Sequence, residues 1–299
     1  MTTRAAPAFV LPDYPMSRLT TVGTGGPARH FARPSTAAEL EQLLRWVAAE
    51  GLPAEIVGLG SNMLAADEGF DGVVIKLVGD LARVERDGHD LVCGGGAALA
   101  VVVKRAEQLG LAGVEFCCAI PGTVGGAVRM NAGAYGAELR DVLAEALVVG
   151  AEGSRSAGRD QLEMSYRRSN VAPGEVVAEA RLSLRAGDRA HIREIVRAMQ
   201  GRRRAAQPQK VRTFGSVWKN PSEELSAGRL LEQCELKGFT IGGARISPVH
   251  ANFIENLGGA MSADVVALMA EARRRARDRY GIDLHHEVQM VGPIDLPAE

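Results

Sequence analysis

The sequence contains no apolar run that approaches the roughly 20 residues needed to span a membrane. Its N-terminal stretch includes an arginine but no sustained apolar segment, which disfavours a secretory signal peptide. A composition of 46% hydrophobic and 24% charged residues is typical of a globular protein. These absences predict a soluble chain located in the cytoplasm, without a membrane partner.

The chain also lacks a charge imbalance and any pattern of metal-binding residues. Its 35 basic and 36 acidic residues give a net charge of -1, which produces no field favouring nucleic acid or an anionic surface. The four cysteines have neither metal-ligand spacing nor a CxxC pair, which predicts free thiols. The adjacent His285 and His286 would point to opposite faces of a strand, so no metal site is predicted.

The spacing of apolar residues, with glycines at the ends of the predicted elements, predicts an α+β fold built from α/β elements. At 299 residues the chain is long enough for two or three packed units, with a linker near Gln207 and Pro208. Apolar residues at helical spacing predict helices over residues 35–50, 97–109, 191–204, 227–236 and 263–280. Runs rich in β-branched residues predict strands at 54–57, 72–77, 142–149, 176–184, 251–255 and 284–291.

Two glycine-dense segments, Gly58–Leu64 and Pro121–Gly126, stand next to apolar runs. Glycine lets successive backbone N–H groups turn toward an anion, so both segments suit a diphosphate. Neither contains the GxGxxG dinucleotide fingerprint or the Lys-Ser/Thr ending of a triphosphate-binding loop. Taken alone, the segments leave tight structural turns and cofactor contacts equally open.

The order of residues in these segments is more specific than their glycine content. The stretches Gly60–Gly72, Gly113–Phe116, Ile120–Gly126 and Met130–Gly136 together resemble the UDP-N-acetylenolpyruvoylglucosamine reductase (UDP-N-acetylmuramate dehydrogenase) family of peptidoglycan synthesis. The length is similar to that of the family's shorter form, which lacks an extra substrate-covering loop. A member of this family would serve cell-wall biogenesis, and through it cell shape and division.

The resemblance implies a bipartite FAD-binding region followed by a substrate-binding domain. Two small α/β subdomains, residues 1–78 and 79–206, would hold FAD non-covalently, and a C-terminal α/β domain would span residues 207–299. A return of the last residues to the first subdomain stays open. The cofactor-binding residues that the resemblance implies are Gly60, Ser61, Asn62, Met63, Leu64, Pro121, Gly122, Thr123, Gly125, Gly126, Asn131, Gly133, Ala134 and Tyr135.

The resemblance covers the chain from about Leu19 to Val291, with two departures. Residues 20–28 lack the aromatic and basic residues usual before Gly-Gly-Pro. Residues 212–215, which precede the key serine Ser216, are larger than is usual in the family. The further matching segments are Ser165–Ser169, Gly215–Pro221, Leu230–Gly238 and Gly242–Phe253. The substrate-binding residues that these segments imply are Tyr166, Lys219, Asn220 and Gln233.

The implied reaction is reduction of an enolpyruvyl ether on UDP-N-acetylglucosamine to a lactyl ether, with NADPH as the electron donor. Arg167 would grip the substrate carboxylate, because a guanidinium stays protonated and offers two N–H groups. Glu287, on the predicted terminal strand, would assist as a protonated carboxyl, since two like charges there could not both stay ionised. Ser216 would donate the proton to the substrate carbon.

Two alternatives stay open at this point. One is an FAD-linked oxidase or dehydrogenase of the wider flavoprotein group that acts on another substrate. The other is a catalytically silent regulator that binds a UDP-sugar or a flavin. The presence of Arg167, Ser216 and Glu287 together favours the reductase over both.

Overall fold

The computed structural model describes residues 5–297, which form six α-helices and nineteen β-strands. The helices are α1 Ala37–Ala49, α2 Leu99–Leu109, α3 Val124–Arg129, α4 Arg189–Ala206, α5 Ala227–Gln233 and α6 Ser262–Tyr280. The strands are β1 Val10–Pro15, β2 Pro27–Ala32, β3 Ala54–Ile56, β4 Met63–Ala65, β5 Phe70–Ile75, β6 Val84–Asp87, β7 Asp90–Gly94, β8 Leu111–Ala112, β9 Gly133–Ala134, β10 Ala137–Glu138, β11 Leu143–Gly150, β12 Gly153–Ala157, β13 Val176–Ser183, β14 Arg185–Ala186, β15 Arg212–Ser216, β16 Thr240–Ile241, β17 Ala244–Ile246, β18 Phe253–Asn256 and β19 Gln289–Val291. Within the described residues, no helix is both long and apolar enough to cross a membrane.

Local sequence determines where the first long helix starts. The Thr36 hydroxyl accepts a hydrogen bond from the Glu39 amide at 3.2 Å, and the Glu39 carboxylate accepts one from the Ser35 amide at 2.6 Å. Such reciprocal capping satisfies amide groups that have no partner inside the helix. Helix α2 ends at Gly110, whose φ of +67° suits glycine best. Both signals are short-range, and both helices confirm the sequence prediction.

The chain divides into two compact units. Of the described residues, the larger unit contains 5–12, His30–Leu59 and Gly72–Arg203. Its main sheet is antiparallel, in the order β12-β11-β13-β7-β6, and β3 pairs with β5 in parallel. One apolar core lies between this sheet and the helices α2 and α3, and a second surrounds the buried face of α1.

The smaller unit contains Asp13–Arg29, Gly60–Asp71 and residues 204–297. Its antiparallel sheet has the order β15-β18-β17-β16, and β19 pairs in parallel with β4. A single apolar core collects residues from the sheet and from α5 and α6, together with Val22 and Leu64. The predicted boundaries of the three domains stay a prediction. The two compact units are each made of several separate segments of the chain and do not correspond to those domains one by one.

Two sequence expectations are wrong in extent. The helix expected over residues 227–236 ends at Gln233, because Glu235 takes a left-handed conformation with φ of +57°. The strand expected over residues 284–291 is only Gln289–Val291. The segment before it pairs first with residues 217–219 and then with β4, so no continuous ladder forms. Glu287 therefore precedes the terminal strand, which corrects its expected position.

Candidate functional site

The glycine turn of the larger unit is fastened to the segment that precedes α2. The Val124 amide donates to the carbonyl oxygen of Ala97 at 2.9 Å, and the Gly125 amide donates to that of Gly95 at 2.8 Å. A Cβ at Gly125 would lie 3.0 Å from the same Gly95 oxygen. Two of the N–H groups that the sequence offered to a diphosphate are thus occupied by the protein itself.

After α3 the chain makes a tight hairpin from β9 to β10. Tyr135 and Gly136 form its tip, with φ of +54° and +82°. Two-residue hairpin turns with positive φ at both central residues match the twist of the flanking strands. The Tyr135 hydroxyl donates to the carbonyl oxygen of Met199 in α4 at 2.9 Å, while 43% of Tyr135 stays exposed. The hairpin is therefore held at its tip.

Arg167 lies at the corner of a second tight turn in the same unit. Ser165 and Arg168 exchange two backbone hydrogen bonds of 3.0 Å, and Arg167 between them has φ of +55°. The guanidinium lies over the Tyr166 ring, 5.1 Å from its centroid, and Nη2 is 3.4 Å from the Gly133 carbonyl oxygen. The fold thereby brings a predicted catalytic residue next to a predicted cofactor-binding residue.

In the smaller unit, the Gly60 loop packs closely against the chain near Leu19. Gly60 has φ of +66°, and a Cβ built there would lie 1.8 Å from the Leu19 carbonyl oxygen, so only glycine fits. The Thr21 amide donates to the Gly60 carbonyl oxygen at 3.0 Å, and the Thr21 hydroxyl donates to that of Thr213 at 2.7 Å. Thr21 thus connects the predicted cofactor loop to the strand that carries Ser216.

Ser216 and Glu287 are neighbours on paired backbone segments of the smaller unit. Ser216 ends β15, and the Glu287 amide donates to the carbonyl oxygen of the next residue, Val217, at 2.9 Å. Gly215, before the serine, has φ of +84°, and a Cβ there would lie 3.4 Å from the Ser61 carbonyl oxygen. The structure therefore places two predicted catalytic residues beside a predicted cofactor loop.

Asn62 links that loop directly to the Glu287 segment. Its Nδ2 donates to the Glu287 carbonyl oxygen at 2.8 Å, and its own carbonyl oxygen accepts from the Gln289 amide at 2.9 Å. Met63 and Leu64 continue into β4, and both side chains are buried. A contact from either of them to a cofactor would have to come from the backbone.

The predicted substrate-binding residues of the smaller unit follow Ser216 along the chain. The Lys219 amide donates to the His285 carbonyl oxygen at 2.9 Å, which continues the pairing next to Glu287. The Asn220 Oδ1 accepts from the amide of Ala227 at 3.1 Å, at the start of α5. Gln233 ends this helix and is exposed. Lys219 lies nearest to Ser216 and Glu287 along the backbone, whereas Gln233 lies at the far end of α5.

The two departures from the family pattern meet in the structure. A Cβ built on Gly23 would lie 3.0 Å from Nη1 of Arg212 and 3.3 Å from its Cδ. The Arg212 side chain therefore covers the face of residue 23 that a larger residue would use. A side chain at position 23 and the Arg212 side chain would therefore compete for the same space.

The sequence motifs did not indicate which residues hold the predicted catalytic segments. Asn252 makes two hydrogen bonds of 2.9 Å to the backbone of Trp218, two residues after Ser216. Arg273 and Arg277 bind the Asp283 carboxylate and hold its pKa well below the ordinary value, which fixes the chain just before Glu287. No signal within either segment could have identified these partners, because each lies on a different element.

Burial disfavours the thiolate form of the cysteines inside the larger unit. All four cysteines are free, and burial raises the pKa of Cys93 to about 12 and also raises that of Cys117. A thiol with so high a pKa carries almost no thiolate, the reactive form. Among the described residues, no group of three or more metal-ligating side chains is arranged to hold a metal ion.

Comparison with known proteins decides the family. Residues 207–291 match the family model described as the C-terminal domain of UDP-N-acetylenolpyruvoylglucosamine reductase, and residues 28–156 match an FAD binding domain. A protein of that reductase name from Anaeromyxobacter sp. (strain Fw109-5) is 44% identical over 283 residues, 95% of this chain and 89% of the relative. The chain belongs to the UDP-N-acetylenolpyruvoylglucosamine reductase family.

Other members of the reductase family give the same result. A relative from Symbiobacterium thermophilum (strain DSM 24528 / JCM 14929 / IAM 14863 / T), UDP-N-acetylenolpyruvoylglucosamine reductase 2, is 42% identical over 93% of this chain and 91% of its own length. The solved reductase from Thermus caldophilus superposes with a TM-score of 0.82 at 33% identity, covering 94% of this chain and 98% of that structure. The α+β fold expected from the sequence is confirmed, with its FAD-binding and C-terminal domains.

Proposed function

We propose that this chain is an FAD-dependent oxidoreductase that uses NADPH to reduce UDP-N-acetylenolpyruvoylglucosamine to UDP-N-acetylmuramate in the cytoplasm. Family membership supports the reaction, and one observation supports its chemistry. Within the smaller unit, Ser216 and Glu287 lie on paired backbone segments joined next to the serine by a hydrogen bond of 2.9 Å. The backbone positions of the candidate proton donor and the candidate carboxyl group are thereby paired by the protein itself.

The glycine turn of the larger unit fits a dinucleotide. A Cβ on Gly126 would meet nothing nearer than Thr123 Oγ1 at 3.6 Å, and one on Gly122 nothing nearer than Leu99 Cδ1 at 4.0 Å. This open space permits close approach of a ligand to the backbone, which is the use of glycine in phosphate-binding turns. FAD, held there non-covalently, would accept a hydride from NADPH and pass it to the substrate.

Arg167 would stabilise the negative charge that develops when the enolpyruvyl group is reduced. This charge spreads into the substrate carboxylate, and a guanidinium can donate two parallel hydrogen bonds to a carboxylate. The φ of +55° at Arg167 places its side chain at a turn corner beside Tyr166, which is half exposed. A preorganised donor of this kind reduces the barrier more than a mobile one, because little reorganisation is needed during the reaction.

Ser216 would donate its hydroxyl proton to the substrate carbon next to the carboxylate. The carbanion-like species formed there is a strong base, so a serine hydroxyl in contact with it is acidic enough. Glu287, as a protonated carboxyl, would lie beside the substrate carboxylate and donate a hydrogen bond to it. Of the predicted substrate-binding residues, Lys219, Asn220 and Gln233 would contact the diphosphate of UDP, and Tyr166 would also contact the substrate.

An anaerobic stopped-flow experiment tests this function. Reduction of the bound flavin by NADPH should bleach its absorbance, and subsequent addition of the enolpyruvyl sugar nucleotide should restore it. Bleaching without recovery would instead support an oxidoreductase with another substrate. Tight binding of flavin and sugar nucleotide with neither absorbance change would support a silent binding protein.

Alanine at position 126 should separate folding from FAD binding. The protein leaves room for a methyl group at Gly126, so the melting temperature of the apoprotein should change little. A cofactor lying against this backbone would clash with the methyl group, and we expect the Kd for FAD to rise about tenfold or more. Titration of apoprotein with FAD, followed by flavin fluorescence, measures the change.

Gly201→Ala is the matched control for this variant. Gly201 lies in α4, and no described atom comes within 4 Å of a Cβ built there outside the helix itself. The same substitution at this position should leave the Kd for FAD unchanged and stabilise the helix slightly. Equal affinities in both variants would remove Gly126 from the cofactor site.

A further inference from the structure

We propose that Asn131 is a positioning residue that holds the turn carrying Arg167, and that its side chain does not contact the flavin. The inference rests on the proposed role of Arg167 in the reaction. It also reassigns Asn131, because the family resemblance implies a cofactor-binding residue at this position.

The side chain of Asn131 is completely buried, and each of its polar atoms already has protein partners. Its Nδ2 donates to Oε2 of Glu138 at 2.9 Å and to the Ser165 carbonyl oxygen at 3.1 Å. Its Oδ1 accepts from the Arg140 amide at 3.0 Å. An amide nitrogen has two N–H donors, so no donor is left for a cofactor.

The Arg167 turn needs such support, because its own hydrogen bonds leave a strained residue at the corner. A left-handed backbone is unfavourable for arginine and persists only where surrounding contacts impose it. The Asn131 bond to Ser165 holds the turn on one side. On the other side, the Ser169 hydroxyl donates to the Arg129 carbonyl oxygen at 2.8 Å. The short segment from Arg129 to Asn131 thus binds both flanks of the turn.

This arrangement gives the Met130–Gly136 motif a second role, which is to position the Arg167 turn. Directly after Asn131, the Ala132 amide donates to the Ala127 carbonyl oxygen, and residues 133–134 pair with β10. The Gly133 carbonyl oxygen also receives Nη2 of Arg167. The asparagine at its start sets where the guanidinium lies. One motif therefore couples the position of the cofactor segment to that of the group that would stabilise the substrate's charge.

Three variants separate this role from simple stabilisation. Asn131→Asp removes both donors and places a carboxylate against Glu138 and the Ser165 carbonyl oxygen. Glu138→Gln alone keeps an acceptor for Asn131 but loses the ion pair of Glu138 with Arg140, so it is the baseline for the double variant. In the Asn131→Asp/Glu138→Gln double variant, the new glutamine amide can donate to the aspartate. That pair regains its hydrogen bond, but the bond to Ser165 stays lost.

The measurements are the melting temperature and the two half-reactions of the holoenzyme. In Asn131→Asp we expect flavin reduction by NADPH to stay within about twofold of the wild-type rate, and reoxidation by substrate to slow about 100-fold, as for a misplaced catalytic group. The double variant should regain the melting temperature of Glu138→Gln but not its reoxidation rate. The proposal would be overturned if the double variant regained the melting temperature and the reoxidation rate together. Equal slowing of the two half-reactions in Asn131→Asp would also overturn it. Asn131→Ser, which adds no charge to the core, carries the same expectation if the aspartate variants do not fold.

Action through Arg167 requires that the two substitutions be non-additive. In an Arg167→Ala background, Asn131→Ser should slow reoxidation by less than about threefold more, because the group that it positions is absent. Full additivity would contradict the proposal. Asn256→Ser is the structural control, because Asn256 is also buried and makes three hydrogen bonds, all within the smaller unit. It should reduce stability without slowing reoxidation selectively.

The outcomes also separate this inference from the proposed function. If wild-type reduced flavin is not reoxidised by the enolpyruvyl sugar nucleotide, the proposed function fails. If the wild type turns over and the Asn131 variants reoxidise equally fast, only the positioning role fails.

Discussion

Replacing Ser216 with alanine is expected to stop the protein between its two half-reactions. NADPH should still bleach the flavin at the wild-type rate, because the serine takes no part in that transfer. Reoxidation by the enolpyruvyl sugar nucleotide should slow by about 10²- to 10⁴-fold, the usual contribution of a positioned proton donor. Anaerobic stopped-flow absorbance, with NADPH added before substrate, records both rates in one sample.

Ser226→Ala provides the control for Ser216→Ala. Ser226 also belongs to the smaller unit, where its hydroxyl oxygen accepts from the Arg229 amide and caps α5. Loss of this cap should cost about 1 kcal/mol of stability and leave both half-reactions intact. Normal turnover by Ser216→Ala would exclude the serine as the proton donor.

Replacing Arg167 with alanine should have the second largest effect. Removal of one preorganised donor to a developing charge typically slows the chemical step by about 10²- to 10³-fold. We expect this loss in the substrate half-reaction, together with weaker substrate binding, because the carboxylate loses its bidentate partner. Lysine at this position should restore little, since an ammonium group cannot reproduce the planar fork. Single-turnover rates across a range of substrate concentrations separate the loss in rate from the loss in binding.

Arg168→Ala is the matched control for the arginine series. Arg168 is exposed and contributes its backbone to the turn, so its side chain can be removed without disturbing the two bonds to Ser165. The variant should retain the substrate half-reaction. A loss equal to that of Arg167→Ala would mean that general positive charge at the turn, and not the specific guanidinium, supports the reaction.

Much of the secondary structure could be predicted because its signals are local. The cap at Thr36 and the glycine at the end of α2 act within one turn of their helices. The exceptions are segments whose partners lie far along the chain. Residues 284–288 have a strand-like sequence, yet they change partner before a ladder can form. Nothing within those residues specifies such an exchange.

The candidate site shows the same limit. Sequence motifs identified Arg167, Ser216 and Glu287 as catalytic candidates, and these roles stay predictions. The motifs did not indicate that Asn62 would bind the Glu287 backbone across 225 positions of sequence. They also assigned Asn131 to the cofactor, whereas its side chain is used inside the protein.

The sequence by itself determined the family, the α+β class and the residue types that the proposed reduction requires, because motif wording and capping signals are contained in short stretches. Only the tertiary structure decided which of these residues are held together and which backbone N–H groups remain available. Those outcomes depend on hydrogen bonds between segments that approach each other only after the apolar cores have formed. The physical reason is that a buried polar group must find a partner wherever the packed chain provides one.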